Sequence, residues 1–153
     1  MNYTELLEQT YAQITEIMPW DFDDYLSENP NALLIDVREP AEFKMARLEN
    51  AISAPRGILE SACSWDFDET IPTLAAAQNH PVLLICRSGH RSAFAALRLQ
   101  ELGFKQVISL KLGMKGLNDE GKAIINAQGT ELDGDDLDEW FNPPVREDQR
   151  QPI

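Results

Sequence analysis

The residues best suited to chemistry lie in one short stretch that begins at Cys86 and ends before Ala93. Between them stand Arg87, Ser88, Gly89, His90, Arg91 and Ser92. A cysteine reacts as its thiolate, and nearby cations and inward-facing backbone N–H groups favour the thiolate over the thiol. The same surroundings would hold a cysteine persulfide, which is also an anion. We therefore predict that Cys86 is a nucleophile and that residues 87–92 form a cradle around its sulfur.

The elements on either side of this stretch explain how it would be positioned. Pro81–Cys86 is a continuous apolar run, which is typical of a buried parallel strand. Ser92–Gly103 has the spacing of a helix, and Gly103 suits its C-terminal cap. Ligands in open α/β sheets bind beyond the carboxyl ends of the strands, where helix N-termini carry a partial positive charge. The predicted cradle lies at such a place.

The rest of the chain repeats this alternation of strand and helix. Further strands are predicted at 32–38, 51–55 and 106–110, and helices at 2–17, 21–28, 39–47 and 114–118, with two helical pieces within 57–77. Strands that alternate with helices predict an α/β domain with a mostly parallel sheet.

Composition and charge exclude several classes of protein. The chain has 153 residues, 43% of them hydrophobic, which suits one soluble domain. Its net charge of −13 is concentrated at the ends, with eight acids and no base before Arg38, and eight acids against two arginines from Thr130 onward. Nucleic-acid binding is not expected, because phosphate contacts need a basic surface. The acidic ends would serve solubility or docking to a basic partner.

The cysteines and histidines predict neither a metal site nor a cofactor. Cys63, Cys86, His80 and His90 have no metal-ligand spacing. Cys63 has no basic neighbour within four residues, so we expect it to be structural, with a resolving thiol as the alternative. No apolar run approaches the ~20 residues of a membrane span, and the N-terminus lacks a secretion signal. We expect a cytoplasmic protein that does not bind membranes.

Four stretches, in order, resemble the signatures of the rhodanese domain. They are Leu34–Phe43, Ala46–Gly57, Cys86–Ser92 and Gly113–Asn118. The likeness covers residues 15–121 and implies the rhodanese-like fold, a mostly parallel sheet with helices on both faces. It divides the chain into an N-terminal amphipathic helical extension (1–14), a rhodanese-like domain (15–129) and an acidic C-terminal tail (130–153). We expect the tail to pack in part through Trp140 and Phe141. The departures from the family are Leu112, where a glycine is usual, and Leu117, where a tryptophan is usual.

The resemblance also implies roles for the site residues. Cys86 would take the sulfane sulfur of a donor such as thiosulfate as a persulfide, and cyanide or a thiol would then accept it. Arg87 and Arg91 would bind the sulfonate of the donor. Asp36, Arg38 and Arg56 would be supporting residues. Asp36 and Arg38 would either form an ion-pair network with Glu42 that braces the loop or be part of the pocket. Arg56 would either face the pocket or cap it.

Loop length distinguishes sulfur transfer from the reaction of the related phosphatases. In the family the sulfur-transfer loop has six residues counted from the cysteine, whereas related phosphatases use a longer loop in which the arginine follows the cysteine by six positions. Here Arg91 follows Cys86 by five positions, and Ser92 stands where a phosphatase would need its arginine. The sequence therefore predicts a sulfurtransferase. The alternative is a sulfur-relay or regulatory binding module with little free turnover, in which the acidic ends select a basic sulfur-relay protein.

Overall fold

The computed structural model describes residues 1–153 and is built on a five-stranded parallel sheet. Its strands are β1 (Glu16–Ile17), β2 (Leu33–Asp36), β3 (Ile52–Ser53), β4 (Pro81–Ile85) and β5 (Gln106–Leu110). Their order across the sheet is β1-β5-β4-β2-β3, and every neighbouring pair is parallel. This confirms the predicted α/β class.

Eight α-helices connect and flank the strands. They are α1 (Tyr3–Tyr11), α2 (Phe22–Glu28), α3 (Pro40–Met45), α4 (Leu59–Ala62), α5 (Pro72–Ala75), α6 (His90–Glu101), α7 (Gly113–Asp119) and α8 (Gly134–Phe141). Single 3₁₀ turns occupy Pro19–Asp21, Arg56–Ile58 and Glu147–Gln149. None of these helices has the length and apolar character that crossing a membrane requires.

Helices cover both faces of the sheet, as the resemblance implied. Successive side chains of a strand point to opposite faces. Val82 and Leu84 of β4 therefore join a core formed with α4, α5 and α6. Leu83 and Ile85 join a second core formed with α2, α7 and α8. A strand buried on both faces has no polar side, which explains the continuous apolar run in its sequence.

The N-terminal segment differs from the prediction. The apolar spacing of residues 2–17 predicted one helix, but α1 ends at Tyr11 and residues 16–17 form β1. The prediction of helix for residues 12–17 is therefore wrong. β1 pairs with Ser109 and Leu110 at the edge of the sheet, a long-range contact. A strand of two residues is too short to show an alternating pattern, so the sequence carries no signal for it.

The C-terminal segment contains a helix that was not predicted. Asp133 caps α8 by accepting hydrogen bonds from the N–H groups of Asp135 and Asp136. Leu137 and Phe141 are buried in the second core. Part of the acidic segment thus packs on the domain through its apolar residues, and every residue from 142 to 153 is exposed.

Candidate active site

Cys86 follows the last residue of β4, and its side chain is buried inside the loop that leads to α6. Its Sγ accepts a hydrogen bond from the Gly89 N–H at 3.0 Å and lies 3.3 Å from the Ser92 hydroxyl oxygen. The Ser92 hydroxyl in turn bonds the Ser109 hydroxyl of β5 at 2.8 Å. The sulfur therefore has polar partners on the loop side and on the side of the sheet, and these can stabilise a negative charge on it.

The start of α6 adds a helix N-terminus to the cradle. Gly89 is the N-cap residue with φ of +92°, a left-handed conformation that glycine adopts without strain. No side chain caps this end of the helix. The first backbone N–H groups of a helix have no partner within it, and they carry the positive end of its dipole. The structure thus has the arrangement of strand end, loop and helix that was predicted from the sequence.

The first turn of α7 holds the loop from the other side. The N–H of Met114 donates to the carbonyl oxygen of Cys86 at 2.9 Å, and the N–H of Lys115 donates to that of Arg87 at 3.0 Å. All peptide bonds are trans, so the carbonyl and N–H of one peptide group point in opposite directions. The N–H groups of Arg87 and Ser88 therefore point away from α7.

This contact depends on the absence of a side chain at Gly113. A Cβ atom there would lie 2.2 Å from the Cys86 carbonyl oxygen and 2.8 Å from the carbonyl carbon and oxygen of Arg87. The residue also has φ of +51°, in the left-handed region. Leu112, where the family usually has a glycine, has φ of +65° and so retains the glycine-like backbone.

Arg91 makes a two-pronged ion pair with Glu42 of α3. Its two terminal nitrogens lie 2.7 and 3.0 Å from the two carboxylate oxygens. Burial alone would raise the pKa of the Glu42 carboxyl. Two kinds of interaction outweigh burial and lower that pKa below its usual value. They are hydrogen bonds from Arg91 and from the Glu39 N–H, and the positive charges of Arg91 and Arg38. Glu42 therefore stays ionised and keeps the start of α6 attached to α3.

Asp36 and Arg38 form a second ion pair, which is fully buried. Arg38 donates to both carboxylate oxygens of Asp36, at 3.0 and 2.8 Å, and to the carbonyl oxygen of Ala46 at 2.6 Å. Ala46 follows α3, the helix that carries Glu42. The pair thus fixes the end of β2 to the end of α3. Through Glu42 of α3, this contact continues to Arg91 in the first turn of α6.

Arg56 and His90 were also predicted as site residues, and each contacts another side chain in the structure. Arg56 bonds Glu60 through Nη1 at 2.9 Å, so its guanidinium group is already paired with a carboxylate. His90 lies against Tyr3 of α1, with 3.3 Å between its Nδ1 and the tyrosine oxygen. Burial, with the charge of Arg87, lowers the pKa of His90 below its usual value and favours the neutral ring.

The surroundings of Cys63 disfavour a thiolate, unlike those of Cys86. It is 3% exposed within the first core and forms no disulfide. Burial, with the charge of Glu60, raises the pKa of the Cys63 thiol to about 12. A thiol in such a site stays protonated and unreactive at neutral pH. No three histidine, cysteine or acidic side chains lie close enough together to hold a metal ion.

Three contributors to the site were missed in the sequence. Ser109 is a polar residue between the apolar residues Ile108 and Leu110 of β5, and that polarity was a signal that its hydroxyl has a partner inside the protein. Tyr3 reaches His90 from the N-terminal segment, and Trp140 lines a cavity with Arg87 from the C-terminal segment. No local pattern in the sequence predicts these two contacts, because they join segments far apart in the chain.

Comparisons with known proteins point to one family. A family model for the Rhodanese-like domain matches residues 21–120. The "Putative thiosulfate sulfurtransferase, mitochondrial" of Schizosaccharomyces pombe is 33% identical over 103 residues, which cover 61% of this chain and 72% of that protein. Three other curated relatives are longer, and the chain spans 25%, 51% and 24% of their lengths.

Solved structures share the fold. A polysulfide-sulfur transferase homodimer from Wolinella succinogenes matches with a TM-score of 0.63 and 28% identity, covering 81% of this chain and 87% of that one. A protein of unknown function from Rhodopseudomonas palustris, described as a "possible tyrosine phosphatase", matches with a TM-score of 0.73 and 22% identity, covering 82% and 95% of the two chains. The second likeness concerns the fold alone.

Proposed function

This chain belongs to the rhodanese-like domain family, and on that premise we propose that it is a sulfurtransferase that carries a sulfane sulfur as a persulfide on Cys86. The observation that supports this most directly is the environment of the Cys86 sulfur. Its Sγ accepts the Gly89 N–H, contacts the Ser92 hydroxyl and lies at the N-terminus of α6. A thiolate and a persulfide are both anions that such surroundings stabilise.

The first half-reaction loads the cysteine. The Cys86 thiolate attacks the outer sulfur of a donor such as thiosulfate, and a new S–S bond forms at Sγ. The S–S bond of the donor breaks at the same time, and sulfite leaves with its electron pair. The N–H groups of the cradle stabilise the negative charge on the transferred sulfur. Arg87 is available to bind the sulfonate, whereas Arg91 is held by Glu42 and shapes the loop.

The second half-reaction unloads the cysteine. An acceptor, cyanide or a thiolate, attacks the outer sulfur of the persulfide. The bond between the two sulfurs breaks, and the electron pair returns to Cys86 as the thiolate. Because the enzyme alternates between two covalent forms, the kinetics follow a ping-pong pattern.

Loop length favours this reaction over phosphate ester hydrolysis. Arg91 is the arginine at the end of the loop, five positions after Cys86, and no arginine occupies the next position. The loop is therefore shorter than the phosphatase loops of related proteins and suits a single sulfur atom better than a phosphate group.

Steady-state kinetics with thiosulfate and cyanide test the proposal. We expect parallel lines in double-reciprocal plots for the wild type and no turnover for Cys86→Ser, because a hydroxyl cannot form a persulfide. Cys63→Ser serves as the matched control, since the buried Cys63 thiol stays protonated, and it should retain most of the turnover. Turnover of an aryl phosphate with none of thiosulfate would overturn the proposal. Loss of turnover in Cys63→Ser with Cys86 still loaded would assign Cys63 a resolving role.

A further inference from the structure

The C-terminal helix reaches the loop of the catalytic cysteine although it lies outside the part of the chain that matches the family. The match ends at residue 120, and α8 begins at Gly134. A cavity of about 260 Å³ is nevertheless lined jointly by Trp140, Phe141 and Pro143 from this segment and by Glu42 and Arg87. Arg87 directly follows Cys86, so the C-terminal segment lines a cavity that borders the cysteine loop.

Arg87 contributes a free positive charge to this cavity. Six other arginines pair with carboxylates: Arg38, Arg56, Arg91, Arg98, Arg146 and Arg150. Arg47 lies over the Phe43 ring at 4.3 Å from its centroid. The guanidinium group of Arg87 has no such partner, and the nearby Glu42 carboxylate is already bound by Arg91. The cavity is therefore suited to an anionic group.

The opposite wall is apolar and firmly anchored. Phe141 is 3% exposed in the second core, and the ring of Trp140 packs against it with 5.1 Å between centroids. Trp140 itself is half-buried and lines the cavity beside Pro143. The cavity is also much larger than cyanide needs. Its size and its apolar wall suit a small organic molecule.

We propose that this cavity binds the sulfur acceptor and selects an organic thiol with an apolar body and a carboxylate. The carboxylate binds Arg87, and the apolar body packs on Trp140 and Pro143. This inference rests on the proposed sulfurtransferase function. The thiolate of the bound acceptor attacks the outer sulfur of the Cys86 persulfide. The new S–S bond forms as the old one breaks, the electron pair returns to Cys86, and the acceptor leaves as an organic persulfide anion.

Single-turnover unloading tests this selectivity separately from loading. The protein is first loaded with thiosulfate and freed of donor, and loss of the added sulfur is then followed by mass spectrometry. The acceptors are para-mercaptobenzoate, its neutral amide para-mercaptobenzamide, and cyanide. For the wild type we expect para-mercaptobenzoate to unload the protein about tenfold faster than the amide at equal thiolate concentration, the scale of one charge-assisted contact.

Two variants and one control assign the effect to the cavity. Trp140→Ala should lower the ratio of the para-mercaptobenzoate rate to the cyanide rate about tenfold, the scale of a lost aromatic contact. Trp140→Leu should lower it less, because leucine keeps an apolar wall and preserves the packing of α8. Trp65→Ala removes a tryptophan that is 54% exposed and does not line the cavity, so the ratio should not change.

The possible failures are distinguishable. If thiosulfate adds no sulfur to the wild type, the proposed function itself fails. If loading is normal but Trp140→Ala slows cyanide and para-mercaptobenzoate equally, the helix has only a structural role and the inference is overturned. An equal rate for the acid and its amide in the wild type would overturn the role of Arg87 in selection.

Discussion

Replacing Gly113 by alanine should destabilise the protein and disturb the cysteine loop together. The new Cβ would lie 2.2 Å from the Cys86 carbonyl oxygen and 2.8 Å from the carbonyl atoms of Arg87, all of them backbone atoms that no rotamer change can move. The left-handed backbone costs a residue with a Cβ about 1–2 kcal/mol. Forcing the loop and α7 apart adds about 1–3 kcal/mol, the usual cost of overpacking. We expect Gly113→Ala to lower the free energy of unfolding by about 2–5 kcal/mol.

Two other glycines separate these contributions. Gly129 has φ of +81° with nothing within 4 Å of an added Cβ, so Gly129→Ala should cost only the backbone contribution, about 1–2 kcal/mol. Gly57 has open space around it and no left-handed φ, so Gly57→Ala should change stability by less than about 1 kcal/mol. Urea unfolding followed by circular dichroism measures all three. If Gly113→Ala costs no more than Gly129→Ala, α7 does not hold the loop by close backbone contact.

The same variant has a functional consequence. Displacing α7 breaks the hydrogen bonds from Met114 and Lys115 to the loop carbonyls. We expect Gly113→Ala to load sulfur from thiosulfate much more slowly than wild type at a temperature where both are folded. Gly129→Ala, which destabilises the fold away from the loop, should load at the wild-type rate.

The Glu42–Arg91 pair supplies two further predictions. The first is a double-mutant cycle with Glu42→Gln and Arg91→Gln, measured by urea unfolding. We expect a coupling energy of up to about 1 kcal/mol, because the side chains are 24% and 34% exposed and solvent screens them. Additive effects of the two substitutions would mean that the pair does not hold the loop. The second concerns pH, because the pKa of Glu42 is lowered in the folded protein. The ionised carboxylate therefore stabilises the fold fully at pH values above the pKa of an unfolded glutamate, about 4.3. This stabilisation is lost as the pH falls through the lower pKa of the folded protein. The difference in unfolding free energy between wild type and Glu42→Gln should thus be constant from about pH 7 to 5 and shrink at more acidic pH; a difference that grows on acidification would contradict the ion pair.

Local patterns in the sequence predicted the central part of the fold. The apolar run at Pro81–Ile85, the glycine in the loop and the apolar spacing after it determine β4, the cradle and α6. A strand buried on both faces is apolar throughout, and a helix that packs on a sheet has regularly spaced apolar residues, so both patterns are visible in a single sequence.

Long-range contacts explain what the sequence did not predict. β1 exists because two residues pair with β5, and α8 is held because Leu137 and Phe141 enter the second core. Among the site residues, the sequence suggested the network of Asp36 and Arg38 but not which arginine is free. The structure places Arg91 on Glu42 and leaves Arg87 facing the cavity, a distinction that depends on side-chain geometry.

The most direct test of the account is the mass of the intact protein after treatment with thiosulfate and removal of the donor. The account predicts a species heavier by one sulfur, about 32 Da, that maps to Cys86, disappears with cyanide and is absent in Cys86→Ser. No added sulfur on the wild type, or a sulfur that remains in Cys86→Ser and maps to Cys63, would contradict it.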